Sequence, residues 1–104
     1  MYKLIDVADV IRSKNSGPHE LTFDIIFSEL EVYNKFSKAN VITKESFAKL
    51  YKIDIKDVID VIYFDPAKAV KITIVRPISS GALGETDVYG AQQHSPLLDF
   101  KFDL

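Results

Sequence analysis

The chain has 104 residues and contains no cysteine, which excludes disulfides, thiolate zinc sites and a cysteine nucleophile. Thirteen basic and 15 acidic residues give a net charge of −2, so the positive charge that a nucleic-acid backbone attracts is lacking. No apolar run approaches the roughly 20 residues that span a bilayer, and Asp6 interrupts the apolar N-terminus. We expect a single domain over residues 1–104, cytoplasmic, with neither a membrane nor a nucleic acid as partner.

The first predicted element is a helix near the N-terminus. Its apolar residues recur every three or four positions, as they do on one face of a helix: Leu4, Val7, Ala8 and Ile11. Pro18 cannot continue a helix, and Gly17 before it can adopt the positive φ of a helix end. The pattern therefore predicts a helix that ends in the polar stretch 12–17.

A strand and two helices are predicted next. Apolar side chains alternate over residues 21–27, which is the period of a strand. The apolar residues then return to helical spacing, with Ser28 as the expected N-cap of one helix and Thr43 as that of another. Asp54 is expected to begin one further turn before the next strand.

Two strands joined by a tight turn follow, and a third strand closes the chain. Residues 58–64 are almost all apolar and residues 69–75 alternate, while Pro66 between them favours a turn. This pattern predicts a β-hairpin. A loop without periodicity over residues 78–96 is expected to lead to a last strand at residues 97–103.

The predicted order is therefore α, β, α, α, β, β, loop, β. It indicates the α+β class, with a two-layer sandwich in which helices lie on one face of a four-stranded, mainly antiparallel sheet. A ferredoxin-like layout fits this order best.

Two polar segments are candidates for function. In the first, the charged and amide side chains of Arg12, Lys14 and Asn15 lie next to a predicted helix end, where they could bind a carboxylate or phosphate. The alternative is a solvated helix C-terminus, since cations there also complement the helix dipole.

The second candidate is the long loop. Its side chains Tyr89, Gln92, Gln93 and His94 are suited to hydrogen bonding at an interface or a shared site. His94 could act as a general base oriented by Asp87, and these two are weak candidates for catalysis. The alternative, which ranks above catalysis, is that His94 bonds the backbone and holds the loop. No metal site is predicted and no cofactor is indicated, because the other histidine, His19, lies far away in sequence.

The same segments resemble the small AtuA-like (acyclic-terpene-utilisation-type) domain, a largely uncharacterised family of about this length. In that family the domain either accompanies a large AtuA-like protein as a separate chain or is fused to its C-terminal end. The resemblance implies a ferredoxin-like fold, a large protein partner and a setting in acid or acyl-thioester breakdown. It is carried by four blocks of sequence, at residues 11–18, 21–27, 64–67 and 86–98.

The resemblance and the residues together suggest the small subunit or accessory domain of a two-component metabolic enzyme. Its substrates would be small carboxylic acids or acyl thioesters, in a lyase-type or hydratase-type step, with the main active site on the large AtuA-like protein. The competing hypothesis is a stand-alone ligand-binding or regulatory module, including a homo-oligomer joined through sheet edges. An independent small hydrolase that uses His94 ranks last.

Overall fold

The computed structural model of the chain describes residues 1–17, 19–75 and 95–104. The strands in these ranges are β1 (Tyr2–Lys3), β2 (Ala8–Gly17), β3 (Glu20–Phe27), β4 (Val58–Phe64), β5 (Ala69–Val75) and β6 (Lys101–Phe102). The helical segments are α1 (Leu4–Val7), α2 (Leu30–Lys38), α3 (Lys44–Tyr51) and α4 (Ser95–Leu98). Short 3₁₀ turns lie at Ile55–Asp57, before β4, and at Asp65–Ala67, between β4 and β5.

Four of the strands form one sheet in the order β2-β3-β5-β4, and each neighbouring pair is antiparallel. The predicted combination of helices with a four-stranded antiparallel sheet is therefore confirmed. The ferredoxin-like layout is not confirmed, because it is built from split βαβ units. In the described chain, two β-hairpins instead flank a pair of helices.

The inner face of the sheet, which we define as the face that carries Phe23 and Phe27, packs against α2 and α3. Phe23 makes an edge contact with Phe47 of α3, with ring centroids 5.0 Å apart, and Phe27 lies 4.8 Å from Phe36 of α2. Alternate side chains of the two central strands are buried on this face, as the period of two requires. They are Leu21, Phe23, Ile25, Phe27, Val70, Ile72 and Ile74.

The predicted N-terminal helix is wrong beyond its first turn, because most of that segment is strand β2. The reason is a β-bulge between Ala8 and Val10, which inserts one extra residue into the strand. Ala8 pairs with Phe27 and Ile11 pairs with Ile25, so two residues three positions apart both lie on the inner face. A bulged strand thus reproduces the spacing that indicates a helix.

The two middle helices are confirmed, with one difference at an N-cap. Thr43 caps α3 as predicted, because its hydroxyl accepts from the Ser46 amide (3.1 Å) and the Ser46 hydroxyl accepts from the Thr43 amide (2.8 Å). The N-cap of α2 is Glu29 rather than Ser28. The Ser28 hydroxyl instead donates to Asp9 at 2.7 Å. The β4–β5 hairpin is confirmed with the predicted turn.

The predicted last strand is only partly present. Residues 95–98 form the helical turn α4, and only Lys101–Phe102 is extended. This short strand pairs with β1 rather than with the main sheet, and together β1 and β6 form what we call the terminal ribbon. No helix of the described ranges is long and apolar enough to cross a membrane.

Candidate functional site

The terminal ribbon places two lysines directly opposite each other. Lys3 pairs with Lys101 across the antiparallel strands, and Tyr2 pairs with Phe102. Paired residues project to the same face of a ribbon, with Cβ atoms roughly 5 Å apart, and like charges in this position repel each other. Both lysines are exposed, and neither has an ion-pair partner among the described residues. The arrangement therefore favours a negatively charged group at this face.

The same two lysines line an open cavity of about 480 Å³. Its other walls are Ile5, which is half exposed, together with Leu98 and Asp99. An anion with a short aliphatic chain fits this lining, because its charge would lie between the ammonium groups and its chain against the apolar side chains. Asp99 adds one negative charge and leaves the lining with a net charge of +1.

Core residues adjoin the cavity lining in sequence. Leu4 and Leu97, which precede Ile5 and Leu98, are completely buried, and the Leu4 amide donates to the Phe100 carbonyl at 2.9 Å. Tyr2 stacks on Phe102 on the opposite face of the ribbon, with ring centroids 5.8 Å apart. The two strands that carry the lysine pair are therefore attached to the core through neighbouring buried residues.

The predicted anion-binding residues do not lie together at a helix end, because that segment is strand β2. Arg12 and Lys14 share the face of the sheet opposite the helices, whereas Asn15 pairs with Leu21 and belongs to the inner face. Arg12 also has a partner, since its Nε donates to Asp24 Oδ2 at 3.1 Å. An anion site that uses all three side chains stays a prediction. These side chains lie on a strand, whereas a helix end was expected.

The residues predicted for an interface or for catalysis lie outside the described residues. These are Asp87, Tyr89, Gln92, Gln93 and His94. The described chain resumes at Ser95, immediately after them, with the helical turn α4. Leu98 at the end of that turn lines the cavity of the terminal ribbon.

Two tyrosines, the buried Tyr33 and the partly buried Tyr63, connect the helical region to the β4–β5 hairpin. The hydroxyl of the fully buried Tyr33 donates to Asp65 at 2.6 Å, and burial, followed by this hydrogen bond, raises the pKa of Tyr33 well above its usual range. The Tyr63 hydroxyl donates to the Ile42 carbonyl at 2.8 Å, and burial also raises the pKa of Tyr63. Both phenols are therefore neutral hydrogen-bond donors that stabilise the packing of the helical region on the hairpin, and neither is suited to proton transfer near neutral pH.

Sequence reasoning missed the lysine pair completely. Lys3 immediately precedes the predicted N-terminal helix, and Lys101 belongs to a strand that was expected to join the main sheet. Two-residue strands show no periodicity, and their pairing joins opposite ends of the chain. The one available signal is the alternation of Phe100, Lys101 and Phe102, which is typical of a strand, and Lys101 is indeed exposed.

Comparison with known proteins gives a family but not an activity. Neither a curated protein nor a solved structure matches the chain. A family profile does match, over residues 4–101, and its description is Domain of unknown function (DUF4387). This match covers the four strands of the main sheet and the two middle helices, and of the terminal ribbon it includes only Lys101, so the chain belongs to the DUF4387 family.

Proposed function

We propose that this chain is the small subunit or accessory domain of a two-component metabolic enzyme, and that it binds the acid or acyl part of a substrate. The partner would be a large AtuA-like protein that carries the main active site. The substrates would be small carboxylic acids or acyl thioesters, in a lyase-type or hydratase-type step. The resemblance of four sequence blocks to the small AtuA-like domain supports the partner and the metabolic setting.

One observation carries the substrate class, namely the cross-strand pair of Lys3 and Lys101 at the cavity of the terminal ribbon. A carboxylate between the two ammonium groups would offset the repulsion between them and accept a charge-assisted hydrogen bond from each. The aliphatic part of a small acid would then contact Ile5 and Leu98.

The position of this cavity also supports a shared site. Its Leu98 wall belongs to the turn that directly follows the segment predicted to face the partner, which contains Tyr89 and His94. One wall of the ligand cavity is therefore formed by a residue that is close in sequence to the proposed contact region.

The experiment combines binding and assembly. The chain is titrated with butyrate while the amide signals of Lys3, Ile5 and Lys101 are followed by NMR, alone and after co-expression with a large AtuA-like protein. We expect shifts in these signals for the natural chain, and at least about a tenfold loss of affinity for Lys3→Ala/Lys101→Ala, because two charge-assisted bonds are lost.

The matched control is Lys44→Ala/Lys49→Ala, which removes two exposed lysines from α3 and changes the net charge equally. This variant should bind butyrate as the natural chain does. An equal loss of affinity in both variants would mean that butyrate binding depends only on the net charge of the chain. Separate elution of the two proteins at micromolar concentrations, with and without butyrate, would contradict the two-component proposal.

A further inference from the structure

The outer face of the main sheet, opposite the helices, carries side chains in three complete rows that cross all four strands in the order β2, β3, β5, β4. The apolar row is Val10, Ile26, Ala69 and Phe64. The middle row is Arg12, Asp24, Lys71 and Ile62. The threonine row is Lys14, Thr22, Thr73 and Asp60.

The two outer strands of this face, β2 and β4, carry most of its exposed side chains, whereas Thr22 on the central strand β3 is only 2% exposed. Phe64 is 56% exposed and Ile62 is 49% exposed, side by side on the edge strand β4. At the two ends of the threonine row, Lys14 and Asp60 are both exposed, and neither has a hydrogen-bond or ion-pair partner within the described ranges. An exposed apolar pair on an edge strand is a feature of surfaces that associate.

The order of residues within the rows makes this face complementary to itself. Consider a two-fold axis that runs parallel to the strands, above the face and midway between β3 and β5. This operation places β4 of one copy over β2 of the other and β5 over β3, while each row stays over the same row. Sheets that pack face to face align in this way, with strand directions within about 30° of each other.

Each row then meets a matching row. In the threonine row, Lys14 faces Asp60 of the second copy, twice in the dimer. In the middle row, Asp24, which also accepts from Arg12 of its own chain, faces Lys71 of the second copy, while Arg12 faces the apolar Ile62. In the apolar row, Val10 faces Phe64 and Ile26 faces Ala69, so that apolar side chains meet apolar ones. No row brings two like charges together.

We propose that the outer sheet face is a homodimer interface, in which two copies of this chain pack face to face about a two-fold axis parallel to their strands. The proposal is independent of the ligand at the terminal ribbon, because its residues lie on different strands. Standard spacings give a patch of about 19 by 20 Å. This is smaller than the roughly 800 Å² per partner of a standard interface, so the dimer is weak and depends on concentration.

Charge reversal tests the pairing. Lys14 and Asp60 lie three strand spacings apart in one chain, about 14 Å, which exceeds the distance over which salt screens exposed charges. Lys14→Glu alone and Asp60→Lys alone each bring like charges together across the axis. We expect each to weaken the dimer by about tenfold or more. A mixture of the two variants restores both contacts, so it should form heterodimers.

Sedimentation equilibrium of the isolated chain, from about 10 to 500 µM, measures these states without any large partner, so its result is separate from that of the two-component proposal. The matched controls Lys44→Glu and Asp54→Lys change exposed charges on α3 and before β4 and should leave the dimer intact. A natural chain that stays monomeric over this range overturns the proposal. Variants that dimerise like the natural chain, or a mixture that fails to associate, overturn it as well. Circular dichroism confirms that each variant is folded.

Discussion

The two faces of the main sheet use the same four strands in opposite ways. On the inner face, Phe23 is completely buried and touches Phe47 and Tyr51 of α3, each with ring centroids 5.0 Å away. On the outer face, Phe64 is more than half exposed, and the two rows beside its own carry charges of both signs. The inner face therefore supplies the free energy of folding, whereas the outer face can vary in sequence without loss of the fold. Its regular rows then point to a role in association.

The largest expected effect is on the inner face. Phe23→Ala removes a buried ring and its two aromatic contacts, so the free energy of unfolding should fall by about 3–5 kcal/mol. Phe64→Ala is the matched control on the outer face, and it should cost less than about 1 kcal/mol because the ring is mostly in water already. Urea denaturation at low micromolar concentration, where the proposed dimer dissociates, measures both. Similar losses in the two variants would contradict the difference between the faces.

The next largest effect is expected from alkaline pH, which should lower the free energy of unfolding. Burial raises the pKa of Tyr33, with a further contribution from its bond to Asp65, and burial alone raises the pKa of Tyr51. Above about pH 10 the unfolded chain loses these protons while the folded chain keeps them, so the unfolded state binds fewer protons and stability falls as pH rises.

The expected slope is up to about 1.4 kcal/mol per pH unit for each tyrosine, once pH exceeds the unfolded value. Urea denaturation at pH 8, 10 and 11 measures it, and absorbance at 295 nm follows the phenolates. Stability that stays constant from pH 10 to 11 would show that these phenols ionise as freely in the folded chain as in the unfolded one.

Local chemistry made the second half of the sheet predictable. The β4–β5 hairpin joins strands that are neighbours in sequence, and Pro66 identifies its turn. Thr43 could be recognised as an N-cap because its partner, Ser46, lies only three residues away. In both cases the residues that determine the structure lie within a few positions of each other, so the sequence alone contains the whole signal.

The N-terminal segment shows why the rest could not be predicted. A single extra residue at the bulge after Ala8 changes the spacing of inward side chains from two to three, and only the partner strand shows that this segment is extended. The lysine pair depends on contacts between the first and last residues of the chain. The candidate anion site, which was predicted at a helix end, therefore lies on strand β2. The predicted combination of helices with a four-stranded antiparallel sheet is nevertheless confirmed.

The hydrogen bond between Tyr33 and Asp65 should have a smaller effect than the loss of an aromatic ring. Tyr33→Phe keeps the buried ring and removes only the hydroxyl, so we expect a loss of about 1–3 kcal/mol, typical of a bond to a charged acceptor. Asp65→Ala should cost a similar amount, and the double variant should cost no more than either alone. Additive losses in this double-mutant cycle would show that the two side chains act independently.

The smallest expected effect is on the outer face, at the ion pair between Arg12 and Asp24. The side chain of Arg12 is 58% exposed, and exposed pairs of this kind contribute about 0–1 kcal/mol because water and salt screen them. Arg12→Ala should therefore lower the free energy of unfolding by less than about 1 kcal/mol, and the difference should shrink further in 1 M NaCl. Urea denaturation of the monomer in low and high salt measures this effect, with Lys14→Ala, which has no partner within the described ranges, as the control. A loss above 2 kcal/mol for Arg12→Ala would mean that the charges of the outer face stabilise the monomer itself. The presence of these charges would then be no argument for a dimer.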